Sequence, residues 1–364
     1  MGLFSRKQVI EAQEAPQIMG EQLGLLSYVT PRISRSEAMS VPALARCRNL
    51  ICGVVSSVPL EYYKKTTGEK IAPPKWIEQL SPSQPSFVTL AWVCDSLLMY
   101  GQSFLEIVEE YAEDGRPSQF EWVANSRVTY DLDMHYNYVT QYYVDGVRRP
   151  MAGLNSLITI QAQNDGILST GARTIQASID AHRAASIALS TPSAVGYLKN
   201  NGADLPPQEV QGLISAWKRA RQNSSVAYLT STLSYETVGF SPKDMAYQDA
   251  IQGLATEIAR LCNVDPYYVS ASMNASMTYS NVIEERKQLV ALSLQPYISA
   301  IESRFSMNDI STTGHAVKFA LDDTFLRTEP MDRLLVIEKM LTLGLITTEQ
   351  AMQMEDLSPN GNGN

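Results

Sequence analysis

The change of sequence pattern near residue 170 constrains the fold of this chain more than any other feature. Residues 41–165 alternate short helical and strand patterns, whereas residues 170–191 carry one long helical pattern that is rich in alanine. Small side chains on a long helix let neighbouring helices approach closely, which favours dense helix packing, including packing between subunits. The alternative is a solvated helix in which alanine serves only as a good helix former.

The length and charge of the chain exclude several classes of protein. A chain of 364 residues exceeds the roughly 250–300 residues at which one hydrophobic core stops growing, so two or more lobes are expected. Hydrophobic residues make up 45% and charged residues 18%, which excludes a largely disordered protein and leaves much of the surface neutral. The net charge of -9 argues against a tight DNA binder, because that function needs clustered Lys and Arg.

The cysteines and the start of the chain indicate the compartment. None of the cysteines forms a CxxC pair, so we predict buried free thiols in a reducing compartment, with neither a disulfide framework nor a zinc site. These are Cys47, Cys52, Cys94 and Cys262. There is no run of about 18 apolar residues and no signal-peptide pattern. We therefore expect a protein that is made in a cytoplasm and has no membrane partner.

Residues 41–165, called the first lobe below, predict an α+β unit. Ser40 is expected to cap a helix that begins at Pro42. Asp114-Gly115 and Asp145-Gly146 are hairpin signals that divide the strands of a meander. The predicted helices cover 42–58 and 86–99, and the predicted strands cover 60–64, 103–111, 119–123, 128–131, 138–144 and 157–161.

Residues 195–240 predict a small αβ unit around a helix at 208–222, with one strand at 195–198 and a hairpin at 226–229 and 235–240. Such a unit buries little by itself and needs a surface to dock on. Later helices are predicted at 246–262, 281–305, 331–343 and 347–355, with a strand at 316–321. Pro296 predicts a kink in the long helix.

The sequence contains no recognisable catalytic motif. It has no P-loop, no dinucleotide-binding glycine motif, no GxSxG and no HExxH. Asp131, Asp133 and His135 have a spacing that a metal could use on one strand face, but a solvated strand end is the favoured interpretation. The acidic pairs at 284–285 and 322–323 are interpreted as solvated faces or intersubunit ion pairs. We expect no enzyme, no metal and no cofactor.

Five short stretches, in order over about residues 38–359, resemble one known family. They are residues 41–60, which end in Ser57-Val58-Pro59-Leu60; residues 99–104 with the turn at 114–117; Asn201-Gly202-Ala203; Thr278-Tyr279-Ser280-Asn281 with the glutamates after it; and residues 344–359. Together they are similar to the HK97-like portal proteins of tailed double-stranded DNA phages. Glu349-Gln350 in place of Asn-Glu, and Asp356 in place of glycine, depart from the family pattern.

The resemblance implies an α+β portal fold with a wing, a helical stem, a small αβ clip and a helical crown, assembled as a ring. It implies a flexible N-terminal arm at 1–37, the wing at 38–168, a stem helix at 169–194 and the clip at 195–242. A second stem helix and its connection follow at 243–269, and the tunnel loop follows at 270–281. The long helix with its return to the wing covers 282–330, the crown covers 331–359, and a disordered tail covers 360–364.

The resemblance also implies the function. Portal proteins form a dodecameric ring at the unique capsid vertex, which conducts double-stranded DNA during genome packaging and ejection. The expected partners are identical subunits, the DNA, the major capsid protein, the terminase large subunit and then a head–tail adaptor protein, in a virion assembled in a bacterial host. Two alternatives stay open: a head–tail connector or scaffold component without DNA contact, and a nucleic-acid enzyme that uses residues 131–135.

Two groups of residues are the candidate sites. The tunnel loop would offer neutral contacts to a moving duplex through Ser272, Met273, Asn274, Ser276, Met277, Thr278 and Tyr279; the alternative is an ordinary helix–helix loop. The clip would meet DNA, the packaging motor or an adaptor through Lys199, Trp217, Lys218, Arg219 and Arg221; the alternative is a solvated helix end. The net charge of -9 suits DNA that slides, since strong phosphate contacts would hold it.

Overall fold

A computed structural model gives the fold. The structure describes residues 9–11, 33–133, 138–190, 196–200, 202, 206–223, 233–237, 247–269, 287–321 and 330–354. Within these residues the protein is mixed α and β, and its strands pair only in the antiparallel direction.

The strands form four sheets in the described part of the chain. They are β1 (Val9–Glu11), β2 (Leu60–Lys64), β3 (Gln102–Glu110), β4 (Pro117–Val123), β5 (Val128–Leu132), β6 (Val139–Val144), β7 (Val147–Arg149), β8 (Leu157–Gln161), β9 (Gly196–Asn200), β10 (Leu233–Thr237) and β11 (His315–Phe319). The sheet orders are β4-β3-β8, β1-β5-β6-β7, β11-β2 and β10-β9.

The helices connect and cover these sheets. They are α1 (Arg35–Ala38), α2 (Pro42–Ser57), α3 (Lys75–Glu78), α4 (Ser86–Tyr100), α5 (Ile167–Thr170), α6 (Ala172–Ser190), α7 (Pro207–Asn223), α8 (Tyr247–Leu261), α9 (Gln295–Phe305), α10 (Pro330–Thr342) and α11 (Thr348–Met354). A π-helical turn at Leu289–Leu294 runs directly into α9.

The start of α2 differs from the prediction. Val41 is the N-cap residue and makes no side-chain capping bond, so the expected cap at Ser40 is wrong. The Ser40 hydroxyl instead donates to the carbonyl of Glu37, because Ser40 follows the short helix α1. The capping box belongs to α1, where Ser34 and Glu37 bond to each other's backbone N–H groups.

The core has a large part and a small part. In the large part, the ring of Trp76 packs against Phe120 and Phe305 with centroids 6.0 and 5.0 Å apart, so the first lobe is joined to α9. The small part lies between two sheets and contains Phe104, Val123, Val128, Tyr130, Val144 and Leu157.

The alanine-rich helix α6 packs on α8. Ala172, Ile175 and Ser178 are buried, whereas Ile187 further along is 60% exposed. One face of α6 therefore meets the neighbouring helix of the same chain, and the later part of the helix presents an apolar side chain at the surface.

A buried carboxylate connects three helices of the first lobe. Asp95 on α4 accepts hydrogen bonds from Arg35 on α1 at 2.8 Å and from Arg48 on α2 at 2.7 Å, and its side chain is 2% exposed. Both guanidinium groups lie over the ring of Trp92, and that ring stacks on Trp122 with centroids 5.0 Å apart. The bond to Asp95 raises the pKa of Arg35 above its ordinary value, so this guanidinium stays protonated.

Two glycines let the end of α4 touch the chain before α5. Gly101 has φ +75, which favours glycine, and a Cβ there would lie 2.8 Å from the carbonyl oxygen of Asn164. A Cβ on Gly166 would lie 2.1 Å from the carbonyl oxygen of Met99. Backbone therefore packs directly on backbone at this corner.

The chain returns to the first lobe near its end. β11 pairs with β2, and Glu302 on α9 accepts the N–H of Phe319 at 2.8 Å. Burial raises the pKa of this carboxyl above its ordinary value, although the hydrogen bond from Phe319 opposes the shift.

The stability of the Glu302→Gln variant relative to the wild type is expected to increase as the pH rises. A carboxyl whose pKa is raised in the folded state binds its proton more tightly there, so the wild type loses stability between the ordinary pKa and the raised one. The amide oxygen still accepts from Phe319 and carries no charge. Thermal unfolding from pH 4 to pH 7 checks this prediction, and a constant difference between the two proteins over that range would contradict it.

Candidate functional site

The predicted clip is an αβ unit with an exposed apolar face. β9 and β10 pair in an antiparallel ribbon in which Lys199 lies opposite Ser234. Val210 and Ile214 lie one turn apart on the same face of α7, and their side chains are 38% and 43% exposed. A two-stranded ribbon and one helix leave apolar side chains in solvent, so this unit has a surface that suits a partner.

The candidate clip residues lie on two elements. Lys199 is exposed on β9, and Trp217 is half-buried on α7. Lys218, Arg219 and Arg221 belong to the last turns of α7, where positive charge suits the helix dipole; their side chains lie outside the described residues. The pairing of 233–237 with β9 was not predicted, and the strand at 226–229, which is predicted to form a hairpin with 235–240, lies outside the described residues.

The candidate tunnel-loop residues, Ser272, Met273, Asn274, Ser276, Met277, Thr278 and Tyr279, lie outside the described residues. The structure describes the two ends of the segment that contains them. On the first side, a 3-10 turn at Pro266–Val269 is held to α2, because Arg46 donates to the carbonyl of Tyr268 at 3.1 Å. On the second side lies the π turn at Leu289–Leu294.

The end of α8 and the π turn bond to each other. Asn263 follows α8 with φ +53, and its side-chain amide donates to the carbonyl of Leu292. The hydroxyl of Ser293 donates in the opposite direction, to the carbonyl of Asn263. This π turn ends at the residue before α9 begins, and Pro296, where the sequence predicts a kink, is the second residue of α9; the kink stays a prediction.

The four cysteines are buried free thiols, as predicted. Cys47 and Cys52 on α2 face Cys262 and Cys94 respectively, and these contacts together with burial raise the pKa of Cys94 and Cys262. Burial beside the same thiols raises the pKa of Tyr297 far above its ordinary value. The four buried thiols pack against one another at the junction of α2, α4, α8 and α9.

The proposed metal spacing does not assemble in the described residues. Asp131 is buried at 5% exposure and accepts a hydrogen bond from the hydroxyl of Tyr143 at 3.0 Å. His135 lies outside the described residues. Within them, no group of three or more metal-ligating side chains comes together.

The C-terminal helices carry a second exposed apolar face. On α10, Leu334, Leu335 and Val336 are each about half exposed, and Leu343 and Leu345 after it are 72% and 68% exposed. Contiguous exposed apolar patches are common at sites of protein interaction. In the part of the chain that the structure describes, no helix is both long enough and apolar enough to cross a membrane.

Comparison with known proteins identifies this architecture. The family model described as phage portal protein matches residues 42–356. A probable portal protein of Streptomyces phage phiC31 is 24% identical over 380 residues, which cover 94% of this chain and 80% of the relative.

Solved structures share the fold. An HK97 family phage portal protein from Corynebacterium diphtheriae has a TM-score of 0.66 at 23% identity, covering 82% of this chain and 99% of that one. A chain in the neck of a native gene transfer agent particle has a TM-score of 0.55 at 20% identity, covering 91% and 95%. Since the family model covers most of its length, the chain belongs to the phage portal protein family.

Proposed function

We propose that this protein forms a dodecameric ring at the unique vertex of a phage capsid. The ring would conduct double-stranded DNA during genome packaging and ejection without any catalysis, metal or cofactor of its own. The observation that carries this proposal is the match to the portal family over residues 42–356. The structural neighbours include one particle neck computed with C12 symmetry and one computed with C6 symmetry, and a ring of twelve subunits is compatible with both.

The exposed apolar faces support assembly. Val210 and Ile214 on the clip, and Leu334, Leu335 and Leu343 near the C-terminus, are large side chains in solvent at two separate places. A subunit that meets identical neighbours on both flanks covers such faces in every interface. The low charged fraction of 18% fits the same arrangement.

The tunnel loop at 270–281 is the proposed DNA contact. Its residues from Ser272 to Tyr279 are small or neutral, so they would touch the duplex without a fixed positive charge. Each phosphate that a protein neutralises adds to its affinity for DNA. Weak contacts therefore suit a channel through which the DNA must slide. The net charge of -9 is compatible with this use of DNA.

The clip is the proposed docking site for the terminase large subunit and afterwards for a head–tail adaptor protein. Trp217, Arg219 and Arg221 are of the residue types that protein interfaces favour, and Lys199 and Lys218 add positive charge in the same unit. Residues 38–168 together with 306–330 would form the wing that faces the major capsid protein. Synthesis in the cytoplasm of a bacterial host precedes assembly into the virion.

Imaging and deletion test this proposal together. Negative-stain images of the purified protein are expected to show rings with a central channel. Deleting residues 272–278 is expected to leave rings and empty capsids intact, while the capsids fail to retain or pass DNA. The same number of residues deleted from 358–364 serves as the control and should leave DNA content unchanged.

Two results would contradict the proposal. A protein that stays monomeric in the images is not a portal ring. Normal DNA content after the deletion would favour a head–tail connector or scaffold component that does not touch DNA.

A further inference from the structure

The backbone conformation at Asn263, after the end of α8, does not require an asparagine. The N–H of Val264 bonds to the carbonyl of Ala259, and the N–H of Asn263 bonds to the carbonyl of Arg260. This is a Schellman motif, whose left-handed residue is most often glycine. Asn263 occupies that position with φ +53, so a glycine would serve the backbone at least as well.

The side chain of Asn263 is used elsewhere. Its amide donates to the carbonyl of Leu292 in the π turn. Pro296, four residues after Leu292, has no N–H and so cannot make the ordinary helical bond to that carbonyl. The Ser293 hydroxyl, on a residue that is 4% exposed, donates back to the carbonyl of Asn263. We call these two hydrogen bonds the Asn263 latch.

The latch joins two elements that flank the candidate tunnel loop. α8 packs on α6 on one side, and the π turn continues into α9, which is anchored in the core through Phe305 on the other. In the π turn the N–H of Gln295 bonds to the carbonyl of Val290, five residues earlier. A π turn holds one residue more than an α turn does, and such turns often lie at functional sites.

We propose that Asn263 is a positioning residue that fixes the register of the π turn against the end of α8. Val264 and Ala291 each directly adjoin one residue of the latch, so the two ends of the stretch between them are held at a set separation. The consequence for DNA rests on the proposed function, because it requires the tunnel loop within this stretch to face the duplex. The latch itself is a property of the described residues.

The Asn263→Gly variant in the assembled ring tests the latch. Glycine keeps the left-handed backbone and removes only the amide donor. We expect amide hydrogen exchange in 287–294 to become on the order of five-fold faster, the effect of losing one hydrogen bond of typical strength. Little change in Tm is expected, because glycine relieves the cost of a positive φ.

A matched control uses another asparagine. Asn155 also has a positive φ, +62, and is exposed in a loop of the first lobe. The Asn155→Gly variant makes the same chemical change away from the π turn, and exchange in 287–294 should equal that of the wild type. Asn263→Asp keeps the size of the side chain but loses the donor, so it should act like Asn263→Gly.

The outcomes separate the latch from the proposed function. Unchanged exchange in 287–294 for both Asn263 variants would overturn the latch, whatever happens to DNA. Faster exchange together with reduced DNA retention would support the latch and its role in positioning the tunnel loop. A wild-type protein that forms no ring would overturn the proposed function alone, since the exchange comparison can still be made on the monomer.

Discussion

The Asp95→Ala variant is expected to lose about 3 kcal/mol of stability, the lower end of the range for breaking a buried ion pair. Asp95 is nearly inaccessible and is the shared partner of Arg35 and Arg48. Its removal leaves two guanidinium groups beside Trp92 without their carboxylate. The lower end applies because the arginine side chains are 30% and 19% exposed and can turn towards water.

Thermal unfolding of purified protein measures this effect, and a fall in Tm of about 4 °C is expected for a chain of 364 residues. Asp180 on α6 gives the matched control, because it also pairs with an arginine, Arg183, at 3.3 Å, but both side chains are more than half exposed. Surface pairs contribute little to stability and alanine is a good helix former, so Asp180→Ala should leave Tm unchanged or slightly higher. Equal losses for the two variants would contradict the importance of burial at Asp95.

The Gly166→Ala variant is expected to prevent normal folding of the corner between α4 and α5. The added Cβ would lie 2.1 Å from the carbonyl oxygen and 2.3 Å from the carbonyl carbon of Met99. Those atoms belong to the last turn of a buried helix and cannot rotate away as a side chain would. A loss of about 4–5 kcal/mol, or recovery of the protein only as insoluble material, follows from forcing the backbone apart.

The same substitution at two other glycines serves as the control. Gly53 in α2 and Gly253 in α8 have nothing within 4 Å of an added Cβ. Alanine in a helix interior is better than glycine by about 1 kcal/mol, so these variants should have an equal or higher Tm. A Gly166→Ala protein with the Tm of the wild type would show that the corner is looser than the contacts indicate.

Local patterns were sufficient to predict most elements of the first lobe. The apolar spacing of Leu44, Cys47 and Ile51 and the Pro59 after the helix predict α2 within one residue, and β8 has the predicted range of 157–161. β7 was missed because three residues are too few to show an alternating pattern. The pairing of β9 with β10 was missed because it depends on contacts across more than 30 residues of chain.

At the candidate site, too, the local sequence predicts the end of a helix but not the contact that its last residues make with a distant element. Asn263 followed by Val264 and a proline two residues later is a local signal for the end of a helix. Nothing near Asn263 in the sequence indicates that its amide bonds to the carbonyl of Leu292, because that contact joins elements 29 residues apart. The resemblance to portal proteins supplied the order of the regions, whereas the contacts between them required the structure.

The pairing of β11 with β2 has a consequence for synthesis on the ribosome. The hydroxyl of Tyr62 accepts the N–H of Thr312, a residue 250 positions later, so β2 emerges long before its partner. At roughly 5–20 residues per second, the exposed strand waits on the order of 10–50 s. A chain that terminates early, with the stretch between them unfinished, cannot close this sheet. The sheet of β2 and β11 can therefore form only after the whole central part of the subunit has been translated.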